Sequence, residues 1–205
     1  MNAAAPTSAP LATDPLDFSL ADRLPARVAG QGRLIVGALP QDGRPGLLFV
    51  PGAYHGAWCF AHYLDYFAAA GLACAALDLR GHGALPQDAA FASTTIADLG
   101  HDVACALDAL EGPTIVVGHS MGALPALLAA RQRPVAGVVL MAPSPPGDLP
   151  GALALPPVPG ATPRAAPAPA EIRARFLATS PDRDVRAVTE RLCAESPQVL
   201  NDRYL

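Results

Sequence analysis

The stretch TIVVGHSMGALPALLAA, residues 114–130, changes its hydrophobic period halfway along. Its first half is a short, nearly continuous apolar run, as in a strand covered on both faces, and its second half repeats apolar residues at helical spacing. Ser120 stands at the junction, between Gly118 and Gly122. A strand that gives way at once to a helix turns sharply, and backbone segments then approach so closely that a Cβ at either glycine would collide. The helix points its unsatisfied N–H groups and positive dipole end at whatever lies near the hydroxyl. In that strand-turn-helix setting Ser120 reads as a nucleophile, the alternative being a plain helix N-cap.

Outward from this point, strands and helices alternate. RLIVGAL (33–39), GLLFVPG (46–52), LACAALDL (72–79) and VAGVVLMAP (135–143) are apolar runs of strand length, several of them bounded by Gly or Pro. Between them, AWCFAHYLDYFAAAG (57–71) places Trp58, Tyr63, Leu64 and Phe67 at helical spacing. TTIADLGHDVACALDAL (94–110) carries Ile96, Leu99, Val103, Leu107 and Leu110 on one face, and opens on a Thr95/Asp98 capping pair. The pattern predicts an α/β fold with a mostly parallel central sheet and helices on both faces.

Three segments follow. Residues 1–22 are an Ala/Pro-rich leader expected to be disordered, residues 23–146 the core, and residues 147–205 a Pro-rich linker with a helical cap. Ten prolines between 143 and 170 exclude a continuing helix or central strand there. Beyond them two short helices are expected, split at Ser180-Pro181, one carrying Ile172, Phe176 and Leu177, the other Val185, Val188 and Leu192.

Composition narrows the function classes. At 51% hydrophobic, 16% charged and net charge −4, the chain has the makings of a globular core and no basic stripe for nucleic acid. No apolar stretch reaches the roughly 18 residues of a membrane span, and the N-terminal residues carry neither the basic nor the apolar region of a signal peptide. Cys59, Cys74, Cys105 and Cys193 lack C-x-x-C spacing and read as small core hydrophobes in a reducing, cytoplasmic setting.

The motif GHSMG (118–122) resembles the nucleophile elbow of the α/β-hydrolase superfamily. FVPGAYHGAWCF (49–60) is similar to its oxyanion loop after the third strand, and LDLRGHG (77–83) to its turn after the fourth. The wording GAYHGAW looks most like esterases, methylesterases and hydroxynitrile lyases. The resemblance covers residues 33–143. It implies Ser120 as nucleophile, the N–H groups of Met121 and Ala53 as oxyanion donors, and a structural role for Asp78, Arg80, His82 and Gly83. Tyr54, with Trp58, is expected to line an apolar substrate site. The expected reaction is hydrolysis of a small ester or acyl substrate through an acyl-enzyme on Ser120, with no metal or organic cofactor required.

Two residues depart from the family pattern: Pro51 stands where a histidine is usual, and Pro125 falls early in the helix after the elbow, where a kink is expected. The larger departure is the base. The fold's chain order is Ser, then Asp or Glu, then His. All five histidines (His55, His62, His82, His101 and His119) precede Ser120. The expectation adopted is that the last core strands are missing and that this is an incomplete form, open at VAGVVLM to a complementing C-terminal segment or to a second copy. Two alternatives stay open: His55 as an improvised base, and a non-catalytic binding module or pseudoenzyme. Asp148 reads as an ordinary loop aspartate, the alternative being the triad acid that some members of the fold place after the strand at 135–143, and His101, beside Asp102, reads as a helix-surface histidine.

Overall fold

The computed structural model describes residues 14–40, 43–145, 147, 149–151, 156–180 and 182–202. The expected leader at 1–13 and Asp148 lie outside these.

In chain order, helix α1 (Ser19–Arg23) leads into an antiparallel hairpin of β1 (Ala26–Ala29) and β2 (Gly32–Ala38). Then come β3 (Gly46–Val50), α2 (Ala61–Ala69), β4 (Cys74–Asp78), α3 (Ile96–Ala109), β5 (Thr114–His119), α4 (Ala123–Gln132) and β6 (Gly137–Met141). The cap contributes α5 (Pro169–Phe176), α6 (Arg186–Thr189) and α7 (Pro197–Asp202). The six strands form one sheet in the order β1-β2-β4-β3-β5-β6, parallel from β4 through β6.

Strand residues alternate between two cores, the period-2 consequence of the pleat. Leu34, Val36, Leu48, Val50, Ala75, Leu77 and Val116 face α3 and α4 on one side. Ile35, Phe49, Cys74, Ala76 and Val117 face α1, α2 and the cap residues Ile172 and Val188 on the other. The chain runs from β3 outward to β4, then crosses back to β5. The C-terminal ends of β3 and β5 are therefore neighbours where the winding reverses, the place where ligands bind in such sheets.

Several expectations need correction. Residues 19–22, assigned to the leader, belong to α1, whose Ala21 is buried in the second core. Ala26–Ala29 pairs with β2 as an extra strand, a hairpin closed over Gly30-Gln31 with Gly30 at φ 61°. Trp58 lies in a 3-10 turn, Ala57–Phe60, ahead of α2, and Tyr63 is 42% exposed at the rim of the core, its ring still against Phe49. Pro125 produces no kink. It falls in the first turn of α4, where amides have no intrahelical acceptor to lose. Among the described residues the cap holds three helices rather than two, because Ser196 caps a further one. Its Oγ accepts from the Gln198 amide at 3.1 Å, and Pro197 occupies the first helical position. Val199 and Leu200 are buried, Val199 in the α3 side of the core, so α7 packs as core rather than as a detached cap.

As expected, Thr95 and Asp98 form a reciprocal capping box on α3; among the described residues no strand pairs with the outer side of β6, where Val139 and Leu140 are exposed on opposite faces. Phe49 is the aromatic centre of the second core, with Phe60 stacked at 5.0 Å and Tyr63 and Phe67 beside it. Phe49→Ala is expected to lower stability by about 3–5 kcal/mol in urea unfolding, and Phe49→Leu by much less.

Candidate active site

Ser120 ends β5 with φ 51°, a left-handed conformation that a non-glycine residue holds only under constraint, at a cost of about 1–3 kcal/mol. The constraint is packing. A Cβ on Gly118 would meet the Ala123 Cα at 2.7 Å, and one on Gly122 would meet the Pro51 carbonyl oxygen at 2.2 Å. A Cβ on Gly52 would come within 2.9 Å of the Ser120 Cβ. The turn after β5 and the loop after β3 are thus in backbone contact, which brings Ser120, Met121, Ala53 and Tyr54 together as the sequence implies. Ser120 and Ala53 are half-buried, whereas the Met121 side chain is wholly buried in the core. The Ser120 carbonyl accepts the Ser144 amide at 3.0 Å, tying the exit of β6 to the same turn.

The turn after β4 braces this assembly. Asp78, 1% exposed, accepts from the Ala57 amide at 2.6 Å and from Arg33 Nη1 at 2.9 Å. A Cβ on Gly83 would stand 2.0 Å from Asp78 Oδ1. Arg80 reaches back to the fully buried Asp102, with Nη2 at 2.7 Å from Oδ1. Asp102 therefore faces the core, while its neighbour His101 is exposed, as expected. The structural role read from the sequence for Asp78, Arg80, His82 and Gly83 matches these contacts.

Sequence reasoning missed the partner of His82. Both His82 and Glu195 have no exposure, and His82 Nε2 lies 2.9 Å from Glu195 Oε2. Nδ1 of the same ring faces the Arg80 carbonyl at 2.9 Å. A carbonyl only accepts, so Nδ1 carries a proton, and the carboxylate calls for one on Nε2 as well. Burial opposes a charge on the imidazole, yet the charge and hydrogen bond of Glu195 outweigh it, and the His82 pKa is raised. No spacing links residues 82 and 195. The readable signal was local: Ser196-Pro197 as a helix start, which places Glu195 just ahead of it.

Two histidines flank the serine, and burial lowers the pKa of both His55 and His119, favouring the neutral ring. His55 Nδ1 is 2.8 Å from the Ala53 carbonyl, and its ring stacks on Trp58 at 5.3 Å. It braces the loop, and no hydrogen bond joins it to the Ser120 hydroxyl. Among the described residues no side chain hydrogen-bonds the Ser120 hydroxyl, and no group of three or more His, Cys, Asp or Glu residues could hold a metal ion. No described helix is long and apolar enough to cross a membrane. A cleft of about 230 Å³ beside Tyr54 is walled by Arg164, Pro167, Ala168, Glu171 and Arg175, a more polar lining than the apolar site expected.

A mainly parallel, doubly covered sheet with a strained serine elbow at its switch point defines the α/β-hydrolase class of fold. The model of the Alpha/beta hydrolase family matches residues 47–204, and the chain belongs to that family. No curated protein matches it. Among solved structures, a protein described as a hydrolase from Agrobacterium vitis S4 is similar at 29% identity and TM-score 0.52, over 64% of this chain and 57% of that one. The chain thus spans less than two thirds of that protein's length. The methylesterase protein MES16 from Arabidopsis shares the fold at 21% identity and TM-score 0.61, over 79% of this chain and 71% of that one. Tomato methylketone synthase I does so at 19% identity and TM-score 0.61, over 79% and 72%.

Gly122→Ala is expected to destabilise by about 1–3 kcal/mol or more, because the Pro51 carbonyl has no room to move. Gly137→Ala, whose Cβ would meet nothing closer than 3.8 Å, is expected to stay within about 0.5 kcal/mol. Chemical denaturation of the two variants checks this. A raised folded-state pKa on His82 stabilises fully below its ordinary value and is lost as pH rises through the folded value. The stability difference between the unaltered chain and His82→Gln should therefore be larger at pH 6 than at pH 9 in urea titrations.

Proposed function

We propose that the chain is the nucleophile-bearing part of a serine hydrolase acting on a small ester or acyl substrate. Ser120 attacks the substrate carbonyl, the Ala53 and Met121 amides receive the alkoxide oxygen, and water then releases the acyl group from Ser120. Tyr54, which lines the cleft beside the oxyanion loop, is assigned to contact with the substrate. The observation that carries this reading is the elbow itself: a serine held at φ 51° with Gly52 packed on its Cβ has no structural use for so much strain. Family membership and the 29% identical Agrobacterium protein, described as a hydrolase, support it.

A serine hydroxyl needs a base, and the described residues bring none to it. The proposal therefore includes a histidine supplied by a complementing segment or a second copy, for which the open β6 edge, with Val139 and Leu140 exposed, is the natural place of addition. The same lack of a base favours a second reading, a non-catalytic module that holds a small ligand above Ser120.

The test is the intact mass of the 20.9 kDa chain before and after a fluorophosphonate probe, alongside Ser120→Ala. The expected result is slow labelling that vanishes in the variant, with residual esterase catalysis of about 10³–10⁴ over water. Absence of any Ser120-dependent adduct or turnover, both in the chain alone and in its self-assembled form, would leave the binding module as the better reading.

A further inference from the structure

Glu195 is a carboxylate without exposure whose partners lie far away in sequence. Its Oε1 accepts from the Ser196 amide at 2.9 Å, and its Oε2 accepts from His82 Nε2 at 2.9 Å and from the Tyr54 amide at 3.1 Å. The Tyr54 carbonyl in turn accepts from the Cys193 amide at 3.0 Å. Residues 193–195 therefore hold both backbone polar groups of Tyr54. Tyr54 has φ 70°, a left-handed conformation that a free loop would abandon.

The peptide plane between Ala53 and Tyr54 is gripped from two sides: its N–H donates to Glu195, and its carbonyl oxygen lies 2.8 Å from His55 Nδ1. On the other side of Ala53, Gly52 rests against Ser120. Between those two fixed points the Ala53 N–H has little freedom to swing away. Glu195 is held just as firmly. His82 is anchored by the Arg80 carbonyl and the Phe91 ring, and the Glu195 backbone exchanges hydrogen bonds of 2.7 and 2.8 Å with Arg164.

We infer that Glu195, locked by its buried contact with His82, is the positioning residue of the oxyanion loop, so that Ala53 is aimed only while residues 193–196 are docked. This rests on the reading of Ala53 as an oxyanion donor. The chemistry selects a carboxylate. Three donors converge on one side chain, so both of its outer atoms must accept; an amide would set its own NH₂ against a donor on one side or the other.

The test compares the full 205-residue chain with Glu195→Gln, and with Glu190→Gln as an exposed control. Two quantities are read: exchange of the Tyr54 amide by NMR, and the rate of Ser120 phosphonylation by a fluorophosphonate, split into reversible probe binding and the covalent step. Glu195→Gln should speed Tyr54 exchange about tenfold or more while sheet amides keep their protection. It should also slow the covalent step by about 10–100-fold with reversible binding little changed, as loss of an aligned oxyanion donor does. The control should alter neither. Unchanged Tyr54 exchange, or faster exchange with an unchanged covalent step, would overturn the inference. If Glu195→Gln fails to fold, the unaltered chain decides: Tyr54 should exchange as slowly as the β5 amides, and exchange at an open-loop rate would overturn it. If Ser120 takes no label in the unaltered chain, the hydrolase reading fails and Tyr54 exchange alone decides whether Glu195 holds the loop.

Discussion

The site depends on a contact with no slack, the approach of the turn after β5 to the loop after β3. Gly122 lies against the Pro51 carbonyl, and Gly52 lies against Ser120. Neither pair admits a methyl group, so the two loops move as one body, and the left-handed conformation of Ser120 follows from them. Sheet topology creates the contact, since β3 and β5 are neighbours only because the chain winds out to β4 before returning.

Around that contact the molecule uses polar groups in place of bulk. Asp78 reaches the backbone at Ala57, Glu195 reaches it at Tyr54, and His55 meets the Ala53 carbonyl. These bonds are buried, where an unmade bond costs most, so each one defines a conformation more sharply than an apolar contact of equal area. The loop after β3 is consequently held at successive points by two distant parts of the chain, at Asp78 and Glu195, and by its own His55. Such rigidity suits a site whose proposed task is to present N–H groups that need not reorganise during reaction.

The opposite side of the elbow is less finished. The β6 edge exposes Val139 and Leu140 and carries backbone groups with no strand beside them among the described residues. In the proposed hydrolase reading, the apolar edge and the serine without a base among the described residues are one need seen twice. One added strand or one partner chain would meet both needs, which ties the proposed base to the proposed place of assembly.

Much of this was legible in the residues. The change of period around Ser120, the flanking glycines and the Thr95/Asp98 box are local signals, and local sterics and hydrogen bonding are carried by short spacings. Five of the six strands, three helices and the elbow were readable for that reason. The β1 hairpin strand escaped because Ala26–Ala29 is mostly exposed and lacks an apolar pattern. The pairing of His82 with Glu195 escaped because a buried contact across 113 positions leaves no periodicity to read. By itself the sequence determined the elements and the identity of the strained serine, since neighbouring residues impose both. Only the tertiary structure decided that His55 braces the loop and that Val199 and Leu200 of α7 pack as core. Which groups fill a buried site is set by packing between elements that the sequence keeps far apart.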